Sequence, residues 1–347
     1  MEYTQLREML SALCPLPGPS GFERPVALRA AELLRPLVDE VSIDRMGNLI
    51  GVRRCGEPGA KRILLDAHLD EIGLIVIGAE EGFLRFRTIG GVDPRMLPDR
   101  EVAILTDPPL FGVVACLPPH VQKAGDADKS IPISDLFIDT GLPQEEVEAR
   151  VPAGTPCVFR DGCFPLGQRQ MCGKSMDDRS CFVTLLQAAQ LLQEKNLDVD
   201  LYILGSTREE VSYGGAATAA WTVAPDCCVA VDVTHGRTPD SPKDRTYELG
   251  GGPVVGVGPN MTRWLTGRMI AKAKSANIPM QYEVMAGASG TNGWDMQIAR
   301  EGIATSVLSL PLKYMHSPVE ALDLSDMEAV AALLAAFVEG IGEEALA

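Results

Sequence analysis

The chain has four histidines, His68, His120, His235 and His316, and two of them fall where a strand finishes beside acidic groups. His68 stands in Leu64-Leu65-Asp66-Ala67-His68-Leu69-Asp70-Glu71, just past an apolar run that reads as a buried strand. Open α/β sheets place their ligands beyond the carboxyl ends of such strands. Asp70 and Glu71, two and three places on, are spaced to orient the imidazole through its second nitrogen, the usual arrangement around a metal-binding histidine. Alone, His68 reads better as a simple strand cap. Three acidic clusters change that balance: Asp177-Asp178 before a helix, Glu209-Glu210 after a strand, and Asp232 inside Val231-Asp232-Val233. A carboxylate within an apolar strand is costly to bury unless a cation, an arginine or backbone amides hold it. Glu209-Glu210 by itself would more often be a solvated loop. His316, in Tyr314-Met315-His316-Ser317-Pro318, completes a set of two imidazoles and several carboxylates.

Nitrogen and oxygen donors without thiolate suit a catalytic site for Zn²⁺, Co²⁺ or Mn²⁺ rather than a closed structural zinc site. Two divalent ions close together need a bridging carboxylate and can bind a shared water, lowering its pKa while polarising a carbonyl. A free carboxylate beside them would take the proton. Other chemistries fit worse. Gly173-Lys174-Ser175 resembles the end of a phosphate-binding loop, but that pattern needs glycine where Gln168 stands. There is no H-E-x-x-H, and Ser20, Ser175 and Ser289 lack the G-x-S-x-G elbow of serine hydrolases.

The elements that must position these residues follow from periodicity and punctuation. Amphipathic helices are expected over 4–13 and 24–37, and strands over 40–43 and 62–66. Between about residues 73 and 163 the pattern turns to short strand-like runs, at 74–77, 83–88, 101–105 and 111–116, with almost no helical periodicity. Helix and strand then alternate: a helix over 179–194, strands at 201–204 and 229–233, a helix over 262–275 and strands at 281–284 and 305–310. The last helix is expected to open on a capping box, Ser325-x-x-Glu328, before an apolar face from 330 to 337. The fold class read from this is α/β: a mixed-sheet domain with helices on both faces, interrupted by a small β-barrel-like insertion. Its parts are 1–73, the insertion 74–161, and 162–347.

At 347 residues and 46% hydrophobic content the chain can bury a substantial core. A net charge of −16 argues against a nucleic-acid partner, because phosphate binding needs a basic surface. Nine cysteines form no C-x-x-C pair, and Cys227 and Cys228 are adjacent, so reduced thiols in a cytoplasmic protein are the simplest reading. No signal-peptide core or apolar run of membrane-spanning length is expected.

The ordered motifs resemble one family nearly end to end, the M42 metallo-aminopeptidases, which include tetrahedral TET peptidases and glutamyl aminopeptidases. They are Ser20-Gly21-Phe22-Glu23, Met46-Gly47-Asn48, Ala67-His68-Leu69-Asp70-Glu71-Ile72-Gly73, Ile89-Gly90-Gly91-Val92, Pro118-Pro119-His120, Lys174-Ser175-Met176-Asp177-Asp178-Arg179, Thr207-Arg208-Glu209-Glu210-Val211, Val231-Asp232-Val233-Thr234-His235 and Tyr314-Met315-His316-Ser317-Pro318. The resemblance implies that Asp177 bridges two metals, one also held by His68 and Asp232 and the other by Glu210 and His316. Glu209 would be the general base and Asp70 the carboxylate behind His68. His120 and His235 would not be metal ligands. It also implies removal of N-terminal residues from short peptides, a β dimerisation domain inserted after the first histidine motif, and a dimer-based homo-oligomer that can reach a dodecamer. No nucleic-acid or membrane partner is implied.

Two departures stand out. Relatives usually continue Glu-Glu-Val with Gly-x-Arg-Gly, whereas this chain has Ser212-Tyr213-Gly214-Gly215; and where many have Gly-Thr-Asp, it has Gly290-Thr291-Asn292. Neither removes a metal ligand, but both bear on substrate preference and on assembly. A glycoside hydrolase is the second reading, since some relatives carry a cellulase label; it needs two opposed carboxyls and no histidine or metal, and leaves His68 and His316 unexplained. A non-catalytic peptide-binding assembly protein is the third, and fold alone does not exclude it.

Overall fold

The structure, a computed structural model, describes residues 3–121 and 131–341. Its first part contributes helices α1 (Thr4–Leu13) and α2 (Arg24–Leu34), the latter tightening into a 3-10 turn at Arg35–Leu37, and strands β1 (Glu40–Ile43), β2 (Leu49–Arg53) and β3 (Lys61–His68). The chain then leaves to build a separate six-strand unit from β4 (Gly73–Glu80), β5 (Phe83–Ile89), β6 (Glu101–Ile104), β7 (Leu110–Ala115), β8 (Phe137–Asp139) and β9 (Pro156–Phe159). These close into a barrel in the order β4-β5-β8-β7-β6-β9. Alternate residues such as Leu74, Val76, Leu84, Phe86, Val102, Ile104 and Ile138 fill it, as a period of two requires. The segment holds one short helix that its strand-like pattern does not announce: α3 (Gln144–Arg150) packs on β4 and β5, with Val147 buried.

The chain returns through β10 (Cys163–Leu166), β11 (Gln170–Gly173), α4 (Met176–Leu192), β12 (Val199–Ser206), the single-turn α5 (Glu209–Ser212), α6 (Gly214–Val223) and β13 (Cys227–His235). It finishes with β14 (Val254–Val257), α7 (Arg263–Ser275), β15 (Gln281–Val284), α8 (Gly293–Met296), β16 (Ala304–Lys313), β17 (Glu320–Asp323) and α9 (Leu324–Glu339). The fold class holds: an 11-stranded mixed sheet in the order β1-β2-β12-β3-β13-β16-β17-β11-β10, with β14 and β15 branching from β16, plus the closed barrel. Strands β12, β3, β13 and β16 run parallel at its centre. Strand β11 is antiparallel to β17, which is antiparallel to β16, so β11 shares the central direction. Five strands thus end at one edge.

Side-chain alternation decides which face each residue serves. On β3, Ile63, Leu65 and Ala67 pack with α1, α2, α4, α7 and α9, whereas Leu64 faces the smaller cluster under α6 and α8. On β13, Cys227, Val229, Val231 and Val233 take the first face, and Cys228 and Ala230 the second. Asp66, His68 and Asp232 therefore belong to the α6/α8 face, the last two at its end.

A buried charge cluster ties the layers together. Arg179, fully buried, donates to the carbonyls of Leu13, Cys14, Leu16 and Leu69 and to Glu71. Lys174 reaches the other Glu71 oxygen at 2.6 Å. Glu71 is held below the usual carboxylate range, because two cations outweigh the burial that opposes its ionisation. Lys174 is also lowered, because burial and the neighbouring Arg179 charge outweigh the pull of Glu71. So Lys174 is a structural cation rather than part of a phosphate loop, and Glu71 does not stand behind His68 as expected.

The capping expectation is corrected as well. Asp323, not Ser325, caps α9: its carboxylate accepts from the Ser325 amide and hydroxyl. Among the described residues no helix is long and apolar enough to cross a membrane.

Candidate metal centre

The strand ends meet around a cavity of about 370 Å³ lined by Asp177, Glu209, Glu210, Asp232 and His316 among others. His68 closes β3; Glu209 and Glu210 follow β12; Asp232 lies near the end of β13; His316 follows β16; and Asp177 follows β11. His68 Nε2 lies 3.1 Å from Asp177 Oδ1 and 3.8 Å from Glu209 Oε2. His316 Nε2 lies 3.5 Å from Asp177 Oδ2 and 3.3 Å from Glu210 Oε2. Asp177 thus presents one oxygen to each imidazole. Ligand atoms of Asp177, Glu210 and His316 lie within 4.8 Å of one another; so do those of His68, Asp178 and Asp232, and those of His68, Glu209 and Glu210.

Local backbone holds these groups. Asp177 and Asp178, joined by a cis peptide bond, depart from helical geometry at the start of α4. Left-handed backbone at Ser175, Arg208, Tyr213, Tyr314 and His316 turns the chain sharply beside the ligand positions. Such non-glycine residues cost on the order of 1–3 kcal/mol each and persist only where the surroundings fix them. Here hydrogen bonds do so. Asp70, completely buried, accepts from the Ser20 hydroxyl at 2.6 Å and from the Glu209 and Glu210 amides at 3.0 and 3.2 Å. Its Oδ1 lies 3.5 Å from His68 Nδ1, which is closer, at 3.1 Å, to the Asp70 carbonyl. Asn48 accepts from the Thr207 amide and donates to Gly215 O. At Gly215 an added Cβ would meet Thr207 O at 2.1 Å, so only glycine allows this approach.

The electrostatics are those of crowded acids. Burial, reinforced by the Asp232, Glu210 and Asp177 charges, pushes the Glu209 carboxyl up to about 10 despite His68. Burial and neighbouring carboxylates raise Asp232 and Asp178 well above the usual range, and Glu210 more modestly. Burial lowers the affinity of both imidazoles for a proton, but the acids outweigh it. His68 sits well above its ordinary value through Asp177 and Asp70, and His316 is held at about 10 by Glu210, Asp177 and Glu320. Asp178 Oδ1 is buried without a hydrogen-bond partner. A donor set of imidazole and carboxylate, over-rich in negative charge and carrying an orphan oxygen, fits divalent cations.

Three participants escaped the sequence reading. Glu320, buried at the start of β17, accepts from the Asp177 amide at 3.0 Å and the His316 amide at 2.9 Å, and so fixes the two candidate ligands relative to each other. Its signal was the one that marked Asp232, a carboxylate entering an apolar strand. Asp178 was seen but given no role; its Oδ2 accepts from the His68 amide at 3.1 Å. Asp66, buried behind the site, accepts from the Asn292 side-chain amide. Of the remaining histidines, His120 sits exposed in the turn Pro119–Val121 and does not line the cavity, whereas His235 does.

Proteins similar to this chain in sequence and fold include several aminopeptidases. The family model described as M42 glutamyl aminopeptidase matches residues 47–333. A lysyl aminopeptidase of Pyrococcus furiosus is 34% identical over 96% of this chain and 96% of its own length. Among solved structures, an aminopeptidase from the archaeon Desulfurococcus kamchatkensis is 34% identical, with a TM-score of 0.90 over 97% of this chain and 95% of that one. The TET1 peptidase of Pyrococcus horikoshii, described as able to assemble into a tetrahedron or a large octahedral shell, is 31% identical, with a TM-score of 0.84 over 96% and 99%.

The departure at Asn292 has a physical reason. Its amide donates to Asp66 Oδ2 at 2.8 Å and to the Ser206 hydroxyl at 2.9 Å, all three buried. Burial raises Asp66 to about 6, and an aspartate at 292 would replace its donor with a second acid. Asn292→Asp is therefore expected to destabilise the metal-free protein by about 1–3 kcal/mol at neutral pH, read as a lower urea midpoint with an unchanged slope. An unchanged midpoint would mean that this amide does not support Asp66.

Proposed function

The chain belongs to the M42 glutamyl aminopeptidase family, and from that premise we propose which of its residues act and how. It is an aminopeptidase, a hydrolase of peptides, and family membership implies divalent metals. Our assignment gives Asp177 to both of two ions, His68 and Asp232 to one, and Glu210 and His316 to the other, with Zn²⁺, Co²⁺ or Mn²⁺ as the ion. The observation that carries it is the pair of Asp177 oxygens, one toward each imidazole at 3.1 and 3.5 Å.

When bound, divalent ions there lower the pKa of a water and polarise the carbonyl of the first peptide bond. Glu209 accepts a proton from the attacking water and returns it to the nitrogen of the leaving peptide as the C–N bond breaks. Its pKa of about 10 belongs to the cation-free cluster; beside divalent charge the carboxylate ionises at neutral pH and serves as a base. Asp70 holds the Glu209–Glu210 turn and His68 in register. The glycoside hydrolase reading has behind it two similar structures, one described as a peptidase/endoglucanase and one as an endoglucanase of Thermotoga maritima, but nothing in sugar cleavage calls for the two imidazoles.

The assembly reading is also ours: the β4–β9 barrel makes a subunit contact in a homo-oligomer, supported by the assembly described for the Pyrococcus horikoshii relative and by Ile77 and Phe111, each about half exposed on the barrel. The nine unpaired cysteines support a reducing, cytoplasmic setting. Short peptides are the substrates.

Activity on an aminoacyl nitroanilide panel should vanish on chelation and return with Zn²⁺, Co²⁺ or Mn²⁺; full activity in metal-free protein would sink the mechanism. Glu209→Gln should keep its metal and lose kcat by about 100-fold or more, without rescue by added metal. Glu210→Gln should bind metal more weakly and recover partly at high metal concentration. The reverse pattern would exchange the two roles. For assembly, the strands that open and close the insertion, β4 and β9, are hydrogen-bonded neighbours, with Leu74 opposite Cys157. Deleting 74–161 and joining the flanks should lower the subunit count seen by light scattering, with circular dichroism reporting the α/β core. An unchanged count would remove the barrel from the contact.

A further inference from the structure

We propose that this cavity selects an amino-terminal lysine or arginine and that Glu283 is the residue that selects it; the inference rests on the aminopeptidase reading above. Beyond the metal centre the cavity is lined by Thr234, His235, Glu283 and Met285. Glu283 belongs to β15, whose alternation leaves Tyr282 and Val284 exposed and turns Glu283 inward. Its Oε2 is buried and accepts no hydrogen bond. The residue is half-buried, its carboxylate has only the Thr234 hydroxyl and His235 beside it, and among the described residues no lysine or arginine lines this cavity. Burial raises the Glu283 carboxyl, offset only in part by the Thr234 hydroxyl and His235.

Position makes the orphan oxygen useful. Asp232 and Thr234 are two residues apart on β13, so their side chains leave the same face roughly 7 Å apart. Thr234 lies against Glu283. The carboxylate therefore stands about one extended side chain from the metal centre. The four-carbon stem and ammonium of lysine, or the guanidinium of arginine, span that gap, with Met285 as an apolar wall for the stem. Leucine is too short to reach the carboxylate, and a glutamyl side chain would set acid against acid.

The test is kcat/KM of the metal-loaded enzyme on lysyl, arginyl, leucyl and glutamyl nitroanilides. Lysyl and arginyl substrates should exceed leucyl by at least about 10-fold, with glutamyl poorest. In Glu283→Gln the lysyl-to-leucyl ratio should fall by about 10- to 100-fold, the range for a lost charged hydrogen bond; Glu283→Asp should fall less. A wild-type preference for leucyl or glutamyl, or a ratio unchanged in Glu283→Gln, overturns the assignment while leaving an aminopeptidase. Cleavage of none of the panel overturns the aminopeptidase reading, and the inference with it. Should the variants fail to fold, the wild type still decides: lysinamide should inhibit leucyl hydrolysis at least about 10-fold more tightly than norleucinamide, and equal inhibition overturns the proposal.

Discussion

Carboxylates crowded into a buried space set the terms for this molecule. Asp177, Asp178, Glu209, Asp232 and Glu320 are all buried, in a region where like charges repel strongly and water cannot screen them. Two imidazoles cannot neutralise that set. The cluster either takes up protons, as the raised carboxyl groups record, or it takes up cations. A fold that brings so many acids together from separate strand ends pays a stability cost that a bound divalent ion removes.

Holding the acids in place falls to groups that do not themselves face the cavity. Asp70 spends its oxygens on Ser20 and on the amides of Glu209 and Glu210, so the end of β3 and the turn after β12 move as one. Glu320 does the same for Asp177 and His316. Beneath them Arg179 binds the carbonyls at and just beyond the end of α1 and the carbonyl of Leu69, one residue beyond His68. A buried cation without its partners costs several kcal/mol, so the segment leading out of β3 is fixed by the same residue that opens the regular part of α4.

Much of this was legible in the sequence because it is local. His68 and Asp232 announce themselves as polar residues at the end of apolar strand runs, and the barrel segment as a change of period. What was not legible depends on distant partners. Asn292 meets Asp66 across 226 residues of chain, and Glu320 meets Asp177 across 143. Barrel closure needs β9 between β4 and β6, an order no local pattern carries. Helix α6 was missed because Gly214-Gly215-Ala216-Ala217 carries no amphipathic contrast, its helicity coming from packing against β12 and α8. The capping box failed because Asp323, the residue just before α9, outcompeted Ser325 two places later.

Asp178 sharpens the central claim, since it joins His68 and Asp232 in one of the three ligand groups and could rival Asp177 there. Metal analysis of purified protein decides between them. Two divalent ions per chain are predicted for the wild type, fewer than one for Asp177→Asn, and clearly more for Asp178→Asn than for Asp177→Asn. Equal or lower occupancy in Asp178→Asn than in Asp177→Asn, or a wild type that binds a single ion, would contradict a metal pair bridged by Asp177.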